Sequence, residues 1–452
     1  MAKVRTQFVC QQCAATYSKW SGRCENCSEW NTLVEQAPLA TAAQSSVAKA
    51  GTSGKKLTVQ SIKSAHQGRR IDRIGSGIGD LDVVLGGGIV PGSVTLLAGQ
   101  PGIGKSTLLL QMAASVAKKN TVLYISGEES ADQVALRAER LGAVDTEKLD
   151  FASSTSANDI ATTIQSAGYS LVIVDSIQTV SVDEMTSAPG SVSQITSSSN
   201  VLIRAAKAAG SAVVLVGHVT KEGSIAGPKV LEHLVDVVLQ FEGDRYGGFK
   251  IVRAIKNRFG STNDAAIFEM YEQGLKVVEN PSAALLKERQ SADGSVVLAT
   301  LEGTRPLLVE IQALVNPTNF GYPKRTASGF DLNRLNLLIA VLERRTKLNL
   351  SDKDIYINVV GGLKLSDQAA DLAICMAIAS AAAGRRIDDD TVVFGEVGLG
   401  GEVRSVIGVD KRIAEAKKLG FTRAITPKQT QKDSFITGVG DLRAALIDYL
   451  QK

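Results

Sequence analysis

The chain runs to 452 residues, with 50 Lys and Arg against 46 Asp and Glu, for a formal net charge of +4 at pH 7. That length exceeds what one hydrophobic core supports, so two or three domains are expected, and the mild basicity permits a polyanionic partner without requiring one. No apolar run approaches the roughly 20 residues of a membrane span, and the N-terminal Met-Ala-Lys-Val-Arg-Thr-Gln-Phe has no signal-peptide core, which predicts a soluble, cytoplasmic protein with no membrane partner.

Of the 5 cysteines, four fall early, as Cys10-x-x-Cys13 and Cys24-x-x-Cys27. Two such knuckles suit a tetrahedral four-thiolate Zn²⁺ site, each tight turn supplying two ligands. The other reading, a redox dithiol or disulfide pair, does not suit a reducing compartment. A module of residues 1–35 is too small to fold on its own core, so metal binding would provide the folding free energy. Phe8, Tyr17, Trp20 and Trp30 either pack around the knuckles or stack on bases, and packing is the expected use. Residues 36–56, rich in Ala, Ser, Thr and Gly, carry no apolar period and read as a flexible linker.

The block 57–280 alternates short apolar strands with helical stretches, which predicts a mostly parallel α/β sheet. Expected strands are Val94–Ala98, Val122–Ser126, Leu171–Asp175 and Val213–Gly217. The first runs into Gly99-Gln100-Pro101-Gly102-Ile103-Gly104-Lys105-Ser106, and from Thr107 the pattern is helical. A strand entering a Gly-rich turn that opens a helix aims backbone N–H groups and the positive helix end at phosphates. Residues Gly99 to Thr107 are therefore assigned to ATP, with Lys105 on the β/γ-phosphates and Ser106 on Mg²⁺. Asp175 ends its strand where the Mg²⁺ shell needs an acceptor. Glu128 is the candidate to orient the attacking water, with Glu129 as its rival; a solvated acidic turn is the plainer reading of both. Ser181–Gln194 and Lys221–Lys229 read as two loose loops, which either close on a strand of nucleic acid or are ordinary surface connections.

The block 281–452 starts after Asn280-Pro281 and reads as a separate α+β domain. It offers a strand Arg305–Val315, a helix Asn333–Arg344, a strand Asp354–Gly361 and an Ala-rich helix Gln368–Ala382. A β-rich stretch Thr391–Ile407 and a helix Asp410–Leu419 follow. Cys375 lies in an apolar run and reads as a small core residue.

These features resemble the RadA (Sms) family of bacterial DNA-repair proteins along essentially the whole chain. The four-Cys ribbon, Arg73-Ile-Gly-Ser-Gly-Ile-Gly-Asp-Leu-Asp-Val-Val-Leu-Gly-Gly-Gly88 and Lys256-Asn-Arg-Phe-Gly260 carry the likeness independently. The resemblance implies an α/β RecA-like P-loop ATPase core, similar to the RecA/KaiC group, with an N-terminal zinc ribbon and a C-terminal α+β Lon-protease-like domain. In that group the acid at the Glu128 position activates water, and basic residues of a neighbouring subunit touch the γ-phosphate. Lys256 and Arg258, at alternate positions of a strand, present one charged face and would act across a subunit boundary as an arginine finger does. His218 matches a γ-phosphate-sensing position.

The Lon-like block departs from its model. Through the Gly395-Glu396 pair, Asp367-Gln-Ala-Ala-Asp371 aligns with the nucleophile motif Gly-Pro-Ser-Ala-Gly, so Ala369 stands at the Ser position and Arg412 at the Lys position. Alanine has no nucleophilic oxygen and arginine cannot act as the base, which argues against an ATP-dependent protease. Lys324, Arg325, Arg334, Arg344, Arg345 and Lys347 supply a basic stretch suited to phosphate contacts. The implied function is a DNA-dependent ATPase of homologous recombination and repair, working on single-stranded and branched DNA as a hexameric ring, with a recombinase or helicase as partner protein. The competing reading is a KaiC-like regulatory ATPase without a DNA track.

Overall fold

The structure, a computed structural model, describes residues 7–10, 16–26, 28–30, 32–36, 61, 72–218, 230–243, 249–318, 321–428 and 433–450. Cys13, Cys27, the loop 221–229 and nearly all of the linker lie outside the described residues.

The N-terminal ribbon is a three-stranded antiparallel sheet of β1 (Gln7–Cys10), β2 (Thr16–Tyr17) and β3 (Leu33–Gln36), in the order β2-β1-β3. Cys10, Cys24 and Leu33 fill its interior, with Phe8 and Tyr17 packed against them. Trp20 and Trp30 stand outside it, 59% and 68% exposed, which corrects the expectation that all four aromatics pack.

The next block builds a nine-stranded sheet from β4 (Val94–Gly99), β5 (Val122–Ser126), β6 (Leu149–Ser153), β7 (Leu171–Asp175), β8 (Ala212–His218), β9 (Val237–Gly243), β10 (Lys250–Asn257), β11 (Ala265–Tyr271) and β12 (Gly274–Val277). The order is β12-β11-β10-β9-β4-β8-β7-β5-β6. From β9 to β6 every pairing is parallel, while β9–β12 form an antiparallel meander. Crossover helices allow the parallel half, whereas β9–β12 follow one another in the chain and pair with their sequence neighbours. The helices are α1 (Gly79–Val84), α2 (Lys105–Ala117), α3 (Ala131–Arg140), α4 (Ala157–Ala167), α5 (Val192–Ala209) and α6 (Val230–Leu234). With both faces covered, β4, β5 and β7 are buried along their whole length, as continuous apolar runs require.

The expected looseness of Ser181–Gln194 is also corrected. Gln194, in the first turn of α5, is 1% exposed. Its amide accepts from the Val182 N–H at 2.9 Å and donates to the Ser187 carbonyl at 3.0 Å, so it pins the loop from within.

The C-terminal block contains α7 (Pro281–Leu286), β13 (Ser295–Glu302), β14 (Arg305–Pro317), β15 (Arg325–Ser328), α8 (Leu332–Thr346), β16 (Lys353–Val359), α9 (Ala370–Ala383), β17 (Thr391–Val393), the β18 (Glu396–Val397) and β19 (Val403–Arg404) hairpin, α10 (Val409–Lys418), β20 (Arg423–Pro427), β21 (Ile436–Val439) and α11 (Leu442–Leu450). Its mixed sheet runs β15-β16-β14-β13-β17-β20-β21. Helix α9 is apolar all round and correspondingly buried from Ala370 to Ser380, including Cys375. Phe249, Ile251, Ala265 and Ile267 join this C-terminal core, so the two blocks share packing across residue 281.

Candidate active site

Strand β4 delivers the chain into the phosphate loop, and α2 leaves it at Lys105. The loop needs its glycines. Gly104 sits at φ 113°, where a Cβ would lie 2.7 Å from Met270 Cε, and a Cβ on Gly99 would lie 2.7 Å from the Phe241 carbonyl. At both positions the loop packs so closely on β9 and β11 that a side chain would strike them. Lys105 is only 4% exposed, and Ser106 and Thr107 follow in the first turn of α2, where free N–H groups gather. The Lys105 ammonium donates to the Gly99 and Gln100 carbonyls at 2.9 and 3.0 Å and lies 3.1 Å from His218 Nδ1.

Two of three nearby acids converge on this point. Asp175 closes β7, 7% exposed, and its Oδ2 accepts from the Tyr124 hydroxyl at 2.7 Å. Glu128 follows β5; its Oε1 accepts from Ser176 Oγ and stands 3.6 Å from His218 Nε2. Glu129 points elsewhere, held by both Nη atoms of Arg137 on α3. The structure therefore separates two acids adjacent in sequence: Glu128 faces the phosphate loop, and Glu129 is tied in a bidentate pair. Tyr124, Ser176 and Arg137 escaped the sequence reading, because nothing in their spacing marks them. They act only by proximity.

Burial pulls the Lys105 pKa down to about 8, against the opposing pull of Asp175 and then Glu128. An arriving phosphate restores it. ATP binding is therefore expected to take up about half a proton at pH 8 and to weaken as the pH rises through 8 to 9. Calorimetry in two buffers of different ionisation enthalpy measures that uptake; zero uptake would remove Lys105 from the phosphate.

Lys256 and Arg258 lie at the other end of the sheet. The Arg258 N–H donates to the Asp236 carbonyl at 3.2 Å and the Asp236 N–H to the Val94 carbonyl at 2.9 Å, so Arg258 is level with the first residue of β4. Gly99 is five residues further along, about 16 Å at ~3.3 Å per residue. Arg258 is 54% exposed, with Nη1 3.4 Å from Asp236 Oδ1. Lys256, across a bulge in the β9–β10 ladder, donates to the Glu232 and Val235 carbonyls at the end of α6, both at 2.7 Å. Burial and then the charge of Arg258 lower the Lys256 pKa.

In the ribbon, Cys10 and Cys24 are buried together, 3.3 Å from Thr32 Oγ1 and 3.4 Å from Tyr17 Oη respectively. A pair of thiols enclosed by one small sheet fits half of a structural zinc site. In the C-terminal domain Ala369 and Arg412 meet around one carboxylate. Asp367 accepts from the Ala369 N–H at 3.0 Å and pairs with Arg412 Nη2 at 2.7 Å. Arg412, 1% exposed, also donates to the Ala299 carbonyl at 2.7 Å. The basic stretch does not form one free face, because Arg334 pairs with the buried Asp371 and donates to the Val397 carbonyl.

Fold and site together define a RecA-like P-loop ATPase core carried between an N-terminal zinc ribbon and a C-terminal Lon-protease-like domain. Family models match accordingly: the AAA domain over residues 64–224, the rubredoxin metal binding domain over 8–35, and subunit ChlI of Mg-chelatase over 336–430. The DNA repair protein RadA of Halalkalibacterium halodurans is 49% identical over 431 residues, covering 94% of this chain and 93% of its own. That of Bacillus subtilis is 49% identical over 432 residues, with the same coverage. That of Listeria monocytogenes is 46% identical over 453 residues, covering 98% of each. The chain belongs to the RadA family of DNA repair proteins.

Proposed function

We propose that this protein is a DNA-dependent ATPase motor of recombination and repair, in which Arg258 of one subunit completes the phosphate site of the next. The observation that carries the reading is the placement of Arg258, exposed and the length of a strand away from the phosphate loop of its own chain. A cation so placed serves a neighbour's nucleotide, and head-to-tail delivery from subunit to subunit builds a ring or a filament; the family resemblance favours a hexameric ring.

In this reading Lys105 and the N–H groups of Gly102 to Ser106 hold the β- and γ-phosphates. Ser106 and Asp175 would hold Mg²⁺, which would supply positive charge against the phosphates. Glu128 orients the attacking water and accepts its proton, with Ser176 fixing the carboxylate. His218, between Lys105 and Glu128, registers whether the γ-phosphate is present. Met270, 40% exposed beside Gly104, and Tyr271, 47% exposed, offer the base an apolar platform. Cys10, Cys13, Cys24 and Cys27 hold Zn²⁺, which supplies the ribbon's folding free energy. With Ala369 and Arg412 at its former dyad, the C-terminal domain acts in assembly and binding without peptidase chemistry.

The ribbon supports the DNA reading. Trp20 and Trp30 flank Gly22, and the Arg23 guanidinium lies 5.8 Å from the Trp30 ring centre, a surface on which unpaired bases stack. The chain has only 2 tryptophans, so indole fluorescence reports on the ribbon alone. Two measurements test the reading together: ATP hydrolysis with and without single-stranded DNA, using Lys105→Ala as the blank, and indole quenching on titration with the same DNA. Stimulated hydrolysis with quenching is the expected result. Hydrolysis indifferent to DNA would turn the assignment to a regulatory ATPase without a DNA track.

A further inference from the structure

The strand end that carries Arg258 is clamped from two sides. On one side, Asn257 Nδ2 donates to the Val84 carbonyl at 3.2 Å and Arg73 Nη2 to the Phe259 carbonyl at 2.8 Å. There the backbones of Gly86 and Gly260 touch, and a Cβ on Gly260 would lie 2.7 Å from Gly86 Cα.

On the other side stands the turn between β13 and β14, which belongs to the C-terminal domain. Thr304 Oγ1 donates to Asp264 Oδ1 at 2.6 Å, and the Thr304 N–H donates to the Asn263 carbonyl. Gly303, at φ 64°, lies so close that a Cβ would stand 1.9 Å from that same carbonyl oxygen. Arg305 reaches Asp80 of α1 at 2.7 Å and the Val278 and Glu279 carbonyls at 3.2 and 3.1 Å. Glu302 pairs with Arg253 of β10 at 2.9 Å. The turn is held from its own domain as well, since Lys411 of α10 donates to the Thr304 carbonyl at 3.2 Å.

We propose that the Glu302–Arg305 turn is a positioning element for the neighbour-directed strand end: by fixing residues 261–264 it sets where Arg258 leaves the protomer, and so couples the C-terminal domain of one subunit to hydrolysis in the next. This rests on the reading that Arg258 acts on the neighbouring subunit's nucleotide. Misplacing a charge-stabilising group by about 1 Å costs on the order of 10²-fold in rate, and nothing in the turn touches the phosphate loop of its own chain.

Thr304→Val keeps the shape and removes the Asp264 bond; Gly303→Ala is the stronger disturbance. Each full-length variant is expected to lose tenfold or more in kcat, with the KM for ATP unchanged, because its own phosphate loop is intact. Mixed assemblies give the decisive readout. Lys105→Ala subunits carry a disabled phosphate loop but an intact strand end, so adding them to Thr304→Val subunits is expected to restore hydrolysis. Normal kcat in Thr304→Val overturns the proposal. So does a loss that Lys105→Ala subunits fail to rescue while they do rescue Arg258→Ala, because the fault then lies in the variant's own core. If Arg258→Ala itself is not rescued, action across the boundary fails, and the positioning role falls with it.

Discussion

Arg258→Ala is expected to lower ATP turnover by about 10³- to 10⁵-fold, the range an arginine finger supplies, while leaving ATP bound to the variant subunit. The guanidinium stabilises charge that develops on the transferring phosphoryl group, so its loss is felt in the transition state and little in the ground state. Among the described residues the Arg258 guanidinium keeps a 3.4 Å contact with Asp236 and is 54% exposed, so its removal costs the fold little. Lys256→Ala differs, because it also strips the Glu232 and Val235 carbonyls of their donor at the end of α6. Single-turnover hydrolysis with ATP binding measured in parallel separates the two effects. A drop in Arg258→Ala that tracks lost ATP binding would count against the finger.

Asp367→Ala is expected to destabilise the C-terminal domain by about 3–5 kcal/mol, the cost of leaving a buried charge without its partner. Arg412 is 1% exposed, and besides Asp367 it meets the Ala299 and Ile407 carbonyls and the Phe394 ring, none of which carries a countercharge. Asp367 also accepts from Thr300 Oγ1 and the Leu301 N–H, at 3.0 and 3.1 Å, and those donors are orphaned too. A domain of this size loses roughly 2–4 °C of melting temperature per kcal/mol, so the shift is expected to reach about 10 °C. Thermal unfolding of the full-length chain checks it. Asp367→Asn, which keeps an acceptor without the charge, is expected to lose less. An Asp367→Ala protein that melts with the parent would mean that water reaches Arg412.

Where the resemblance places a nucleophile and its base, this chain has a methyl group and a guanidinium locked on a carboxylate. Asp367 and Arg412 tie β13, the segment leading into α9 and α10 together, and α10 in turn holds the β13–β14 turn through Lys411.

What the sequence determined by itself is whatever depends on neighbours along the chain. An apolar run, a glycine turn and a helix start are contiguous, so the phosphate loop and its Lys105 were legible, as was Asp175 at the end of a buried run. The paired cysteine knuckles were legible for the same reason, and so was Ala369, since an absent hydroxyl needs no geometry. The tertiary structure alone decided the rest. Glu128 and Glu129 are adjacent and chemically alike, and only the arrival of Arg137 from α3 removes one of them from the site. The exposure of Trp20 and Trp30 depends on how the ribbon strands pack, which no residue pattern reports. The looseness read into residues 181–194 disappeared once Gln194 folded back on their backbone. That Arg258 stands level with Val94, a strand's length from Gly99, was decided by strand register, because register joins residues far apart in the chain and local composition does not encode it.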